Sequence, residues 1–251
     1  MRTWPYPAIV AHRGGGKLAP ENTLEAIDVG ARFGHKMIEF DAKLSADDIV
    51  FLLHDDAVDR TSNARGAAKA MTYAQLSALD AGTWFSAEFA HARMPTLAQV
   101  YERCMKHGLA ANIEIKPSQG RDAETGVLVA REAAHLWADA EPAPLLSSFS
   151  YAALAAARDV APNLPRGMLY ERIPENWRAR TAALSCVSLH ANHRALDEAL
   201  VAQIKDAGLR ILAYTVNDPA RARLLAQWGV DAICTDRIDL IGADFLEGAS
   251  G

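Results

Sequence analysis

The chain has 251 residues, half of them hydrophobic, with a formal net charge of -5. That is enough apolar material for one large core, and α/β barrels commonly reach this size as a single unit. The mild acidity argues against nucleic-acid binding, which needs clustered Lys and Arg, and no apolar run reaches the roughly 20 residues that span a bilayer.

The first residues, M-R-T-W-P-Y-P-A-I-V-A-H, lack a leader-like apolar stretch, because Pro5 and Pro7 break it and His12-Arg13 ends it. The first strand is predicted at 8–11, and a helix follows at 23–33, with Asn22 as its N-cap and Glu25 completing a capping box. Gly34 stops that helix. Further strands are predicted at 37–41 and 49–54, joined by the short S-A-D-D turn. Parallel neighbours need a crossover of about a dozen residues, so 49–54 reads as the return arm of a hairpin that extends strand two. Between 55 and 95 the pattern loosens into small and polar residues. Connections beyond about 15 residues are usually functional or disordered, and Trp84 and Phe85 suggest a small cap over the mouth of the fold.

Beyond 95, helices are predicted at 97–107, 121–138, 150–161, 176–183, 197–207 and 219–228. They alternate with strands at 111–115, 145–148, 167–170, 186–190, 210–216 and 231–235. Gly108 ends the first of these helices. Asp197-Glu198 opens one that Lys205 and Gly208 close, and Asp218-Pro219 opens one that Gly229 closes. The tail after Phe245 should be loose. With the hairpin arm set aside, eight parallel strands remain. The expected fold is α/β: a single (βα)8 TIM barrel over 1–251 with a cap-like insertion at about 55–95. Cys104, Cys186 and Cys234 are odd in number and far apart, so buried free thiols are expected rather than disulfides or a zinc site, in a cytoplasmic protein.

Barrel active sites lie at the C-terminal ends of the strands. There the sequence places His12 and Arg13 after strand one, Glu39 and Asp41 on one face at the end of strand two, and His54 at the end of the hairpin arm. Glu114 and Lys116 share a face at the end of the next strand. Unpaired buried charges are costly. Three carboxylates converging in a dry mouth therefore call for a cation, and oxygen-only ligands suit one hard divalent ion, Mg²⁺ or Ca²⁺. The two histidines suit acid–base work, with Asp55 able to orient one of them. Arg13 and Lys116 look like anion clamps. Phe149 and Tyr214, also at strand ends, could wall a substrate groove. His190 or Asn192 could line it too, whereas His35, His91, His107 and His135 read as solvent-facing. Gly14-Gly15-Gly16 lacks a P-loop ending and more plausibly lets backbone approach a ligand.

Taken together, H-R-G at His12, P-E-N-T at Pro20–Thr23, E-F-D at Glu39–Asp41, H-D at His54, E-I-K at Glu114–Lys116, T-V-N at Thr215–Asn217 and the final I-C-T-D resemble the glycerophosphodiester phosphodiesterase family. The order and spacing match along nearly the whole chain. From W-P-Y-P through Y-T-V-N the chain is similar to cytoplasmic bacterial members. The resemblance implies a metal-dependent (βα)8 barrel that hydrolyses glycerophosphodiesters to sn-glycerol 3-phosphate and an alcohol. By position, Glu39, Asp41 and Glu114 would be metal ligands, His12 and His54 the acid–base pair, and Arg13 and Lys116 the phosphate binders. Tyr214 stands where many members have Trp. The implied partner is a small-molecule substrate, with no nucleic acid and no stable membrane insertion; nothing in the sequence speaks to the oligomeric state. A phosphodiesterase acting on intact lipids would need an apolar membrane-facing surface, which the polar 55–95 segment does not suggest. A non-catalytic sensor would be expected to lack a histidine or carboxylate, and none is missing.

Overall fold

Eight strands run parallel and close on themselves in a computed structural model that describes residues 4–246. They are β1 (Ile9–Ala11), β2 (Met37–Leu44), β4 (Ala110–Ile115), β5 (Leu145–Ser148), β6 (Arg166–Tyr170), β7 (Ser188–Asn192), β8 (Arg210–Tyr214) and β9 (Ala232–Thr235). The order is β1-β9-β8-β7-β6-β5-β4-β2, and pairing of Ala11 with Ile38 returns β2 to β1. The ninth strand, β3 (Val50–Leu52), pairs antiparallel with Ala42–Leu44 of β2. This is the expected (βα)8 barrel with its hairpin arm. The predicted end of strand two at Asp41 was three residues short, because 42–44 runs on past the rim to meet β3.

Helices α1 (Leu24–Arg32), α3 (Leu97–His107), α4 (Asp122–Leu136), α5 (Tyr151–Val160), α6 (Trp177–Ala183), α7 (Glu198–Asp206) and α8 (Pro219–Trp228) lie between the strands. Asp197 and Asp218 cap as predicted, and Gly108 and Gly229 end their helices in the left-handed conformation. Asn22 does not cap α1. The hydroxyl of Thr23 takes that place, accepting from the Ala26 N–H at 3.1 Å. Threonine is also a favoured cap, though a weaker one than asparagine, and the Asn22 side chain is engaged with Asp41.

Side-chain alternation sorts the barrel into layers. On β2, Ile38, Phe40, Ala42 and Leu44 face outward into the core shared with the helices. On the inside, Val10, Met37, Ala110, Leu145, Leu212, Ala232 and Cys234 join Tyr6 in an apolar plug. Burying each large aliphatic chain there contributes about 2 kcal/mol, which fixes the register of the polar layers above. Glu39 pairs with Asn112 and Asp41 with Glu114, so carboxylates occupy successive layers towards the C-terminal mouth.

The segment between β3 and α3 holds a short helix, α2 (Tyr73–Ser77), absent from the sequence expectation. Thr72 and Gln75 cap it reciprocally. Phe51, Leu53, Val58, Ala68, Leu76, Ala81 and Met94 give the segment its own apolar cluster. Trp84 packs edge-on to Phe85, with ring centres 5.8 Å apart.

Three further expectations change. His35 is buried, not solvent-facing, because it turns inward after Gly34 and its Nε2 lies 3.4 Å from the Ile238 carbonyl. Cys104 and Cys234 are buried free thiols, but Cys186 is only half-buried. Strand seven begins at Ser188 rather than 186, set by its pairing with Gly167, which puts His190 mid-strand rather than at a strand end. The loose tail expected after Phe245 falls mostly on 247–251, outside the described residues.

Candidate active site

Beyond Ala11 the chain turns sharply. Arg13 adopts a left-handed conformation, φ 51°, costly for a side chain with a Cβ. The turn aims the Arg13 backbone N–H at Glu39 Oε2, 3.0 Å away. The glycines that follow allow close packing: a Cβ on Gly16 would lie 2.2 Å from the Asp236 carbonyl oxygen, and one on Gly15 would meet Ala19 at 2.8 Å. They let the loop after β1 press against the loop after β9, where Asp236 sits.

That contact builds the surroundings of His12. Its Nδ1 lies 2.6 Å from Asp236 Oδ1, and its Nε2 is 3.8 Å from Glu39 Oε2. Asp236 is held in turn by Asn217, whose amide donates to Oδ2 at 2.9 Å and whose carbonyl accepts from the Asp236 N–H at 2.8 Å. Burial disfavours the charged form of His12, but the Asp236 hydrogen bond and the Glu39 charge outweigh it and raise its pKa. Burial also opposes ionisation of Asp236, yet the same bond to His12 brings its pKa down to about 2.

His54 is set differently. Its Nδ1 lies 2.7 Å from Asp55 Oδ1, as the sequence suggested, while its Nε2 accepts from the Lys116 ammonium at 3.0 Å. Burial, together with the charges of Arg13 and Lys116, lowers its pKa despite Asp41. Lys116 also donates to Glu114 Oε1 at 2.8 Å and lies 5.4 Å from the centre of the Phe149 ring.

Glu39, Asp41 and Glu114 are all buried, and one oxygen from each lies within 4.8 Å of the others. Burial and the Asp41 charge push Glu39 up to about 7 and Glu114 up to about 8. Asp41 goes the other way: burial opposes its ionisation, but Arg13, Lys116, His54 and the Asn22 amide together hold it below the usual range. Three buried carboxyls facing one another, two of them pushed above the ordinary carboxylate range, fit a hard divalent cation that would favour their ionised forms. The unpartnered Oδ1 of Asn112, buried in the same cavity wall, adds an oxygen donor to the set.

His12, Arg13, Glu39, His54, Glu114, Lys116, Phe149 and Tyr214 line one cavity of about 240 Å³. Asp41, only 1% exposed, sits behind them. Phe149 and Tyr214 meet edge-to-face, ring centres 5.8 Å apart, and the Tyr214 hydroxyl donates to the Tyr170 carbonyl at 2.9 Å. His190 lines the cavity as a neutral residue, its pKa pushed down to about 3 by burial, above Gly167, where a Cβ would come within 2.3 Å of its ring. Asn192 does not line it and instead donates to Glu171. A second hollow opens on the His12 side, walled by Arg13, Lys17, Trp84, Phe85 and Asp236.

Sequence reasoning missed Asp236, Asn217, Glu21, Asn22, Arg60 and Glu171. Alternation alone could have found Asp236: Ala232 and Cys234 face inward on β9, and Asp236 is the next residue in that series.

A barrel whose mouth gathers an acidic trio, two histidines and two cationic clamps is a phosphoric ester hydrolase by architecture. The model of the glycerophosphoryl diester phosphodiesterase family matches residues 12–240. The chain is 33% identical over 229 residues to the glycerophosphodiester phosphodiesterase of Caldanaerobacter subterraneus, covering 91% of this chain and 93% of that one. Among solved structures it is similar to an Oleispira antarctica phosphodiesterase in complex with the product sn-glycerol-3-phosphate, at 34% identity and TM-score 0.88 over 94% of this chain and 96% of that one. It is also similar to a glycerophosphodiester phosphodiesterase from Agrobacterium tumefaciens, at 29% identity and TM-score 0.79, over 95% and 100% of the two chains. The chain belongs to the glycerophosphoryl diester phosphodiesterase family and is an enzyme of that class.

Proposed function

We propose that this enzyme hydrolyses glycerophosphodiesters to sn-glycerol 3-phosphate and an alcohol, with His12 and His54 as the acid–base pair beside a divalent cation, Mg²⁺ or Ca²⁺, held by Glu39, Asp41 and Glu114. The observation that carries this reading is the shared cavity: both histidines, both cationic side chains and two of the three carboxylates line it together. A bound cation would act as a Lewis acid, offsetting charge on the phosphoryl oxygens.

Arg13 and Lys116 take the diester phosphate. The Arg13 Nε is buried, makes no hydrogen bond and lies 3.5 Å from Asp41 Oδ2, so the guanidinium is held beside the carboxylate trio where the phosphate would meet the cation. Phe149 and Tyr214 offer an apolar wall to the glycerol end. The two rings have surroundings of opposite sign. The His54 Nε2 accepts from the Lys116 ammonium, so that nitrogen carries no proton; with Lys116 turned to the phosphate its lone pair suits the base that removes a proton from the attacking oxygen, either water or the neighbouring glycerol hydroxyl. His12 lies between the carboxylates of Asp236 and Glu39 and suits the acid that gives a proton to the departing alcohol. The hollow by Trp84 and Phe85 adjoins His12 and not His54, which gives that alcohol an exit next to the acid. The three free thiols agree with a cytoplasmic location, where thiols stay reduced. Release of glycerol 3-phosphate from glycerophosphocholine by wild type, and its loss in Glu114→Ala, tests this reading. A fully active Glu114→Ala contradicts it.

A further inference from the structure

Arg60, in the segment after β3, joins the two halves of the site. Its Nε donates to Asp55 Oδ2 at 2.7 Å, and its Nη2 to Asp55 Oδ1 at 3.1 Å. Nη1 and Nη2 donate to the two oxygens of Glu21 at 2.7 and 2.8 Å. Glu21 accepts from Arg13 Nη1 at 2.6 Å, and Asp55 holds the Nδ1 of His54. A continuous chain of charge-assisted hydrogen bonds therefore runs Arg13–Glu21–Arg60–Asp55–His54. One end carries a phosphate clamp after β1, and the other carries a histidine beyond β3; the bridge between them joins Glu21 to Arg60, 39 residues apart in sequence.

The backbone of Arg60 is well placed to act as a brace. Val58 is fully buried in the apolar cluster of the segment and Thr61 is 5% exposed, so the residues flanking Arg60 are anchored. Only a guanidinium offers paired donors on two edges of one plane, matching two carboxylates at once. The hydrogen bond from Arg60 contributes more than that from His54 in holding the Asp55 carboxyl well below the usual carboxylate range.

We propose that Arg60 is a positioning residue for catalysis: by clamping Glu21 and Asp55 together it fixes Arg13 and the ring of His54 relative to one another. This rests on the roles given above to Arg13 and His54. Arg60 does not line the cavity, and its hydrogen bonds run to Glu21 and Asp55, so it acts through its carboxylate partners. Its side chain is 45% exposed, so the ion pairs themselves add little to stability. Their contribution lies in geometry, where displacement by about 1 Å costs on the order of 100-fold in rate.

The test is steady-state turnover of glycerophosphocholine by wild type, Arg60→Ala and His54→Ala, with thermal unfolding of each. Arg60→Ala should lose about 10- to 100-fold in kcat, more than it loses in KM, with little change in melting temperature. Guanidinium chloride, well below denaturing concentrations, should restore much of the loss, and sodium chloride at equal ionic strength should not. An Arg60→Ala enzyme within about twofold of wild type in kcat overturns the proposal. So does a slow variant with a lowered melting temperature and no guanidinium rescue, which marks a structural brace only. A crippled His54→Ala beside an unaffected Arg60→Ala overturns the proposal alone, whereas an active His54→Ala overturns the reading of His54 and the proposal with it.

Discussion

Asn22 and Asp41 hold each other twice: the Asn22 amide donates to Asp41 Oδ2 at 2.8 Å, and its carbonyl oxygen accepts from the Asp41 N–H at 3.0 Å. Asn217 grips Asp236, the partner of His12, in the same double fashion. Each asparagine fixes a carboxylate that a neighbouring functional group depends on. Asn22 adopts a left-handed backbone, φ 59°, a conformation asparagine tolerates better than most residues.

Asn22→Ala should therefore act on the cation site before it acts on the fold. It leaves the buried Asp41 N–H unpaired, costing about 1–3 kcal/mol of stability, and frees the carboxylate to turn. Cation affinity should fall about 10- to 100-fold, as loss of a partner behind a metal ligand does elsewhere. Calorimetric titration of Mg²⁺ or Ca²⁺, with thermal unfolding of the same variant, checks both; unchanged affinity would remove Asn22 from the account.

Proton release should accompany cation binding. Glu39 is raised to about 7 and Glu114 to about 8 from an ordinary 4.5, so at pH 7 an incoming cation should displace about one to two protons. Apparent affinity should rise as pH climbs from 6 to 8 and then level off. Stability follows the opposite course without the cation. A carboxyl with a raised folded pKa binds more protons folded than unfolded, so the cation-free protein should lose stability as pH rises from about 4.5 to 8. The cation should restore more at pH 8 than at pH 6. Titrations in two buffers of different ionisation heat measure the protons released; none at pH 7 would contradict the carboxylate arrangement.

The two histidines should separate by leaving group. Choline and glycerol depart as strongly basic alkoxides and need an acid, whereas a nitrophenolate leaves unaided. His12→Ala and His54→Ala should both be crippled on glycerophosphocholine. On a nitrophenyl diester, His12→Ala should recover much of its rate and His54→Ala should not. Recovery by His54→Ala instead would reverse the assignment, and equal recovery by both would end the division of roles.

Where strand-end chemistry lies on regular elements, it was legible in the sequence. Alternation put Glu39 and Asp41 on one face, and Glu114 and Lys116 on another. Chain length between 41 and 49 forced the antiparallel return that carries His54. What the sequence did not disclose depends on barrel closure and on loops. His12 meets Asp236 across 224 positions, a pairing that exists only once β1 and β9 lie side by side. Asn22 outranks Thr23 as a helix cap by local preference, and choosing Thr23 requires knowing that Asp41 faces Asn22. Arg60 lies in a stretch with no periodicity, so nothing local indicated where its side chain would reach. His35 looked solvent-facing for the same reason: the carbonyl it meets belongs to Ile238.

The most direct measurement is glycerol 3-phosphate release from glycerophosphocholine by the purified enzyme, first with excess EDTA and then after Mg²⁺ or Ca²⁺ is added back. If the trio of Glu39, Asp41 and Glu114 holds a cation that the reaction requires, activity should fall by orders of magnitude and return with the cation. Undiminished turnover in excess EDTA would contradict the account.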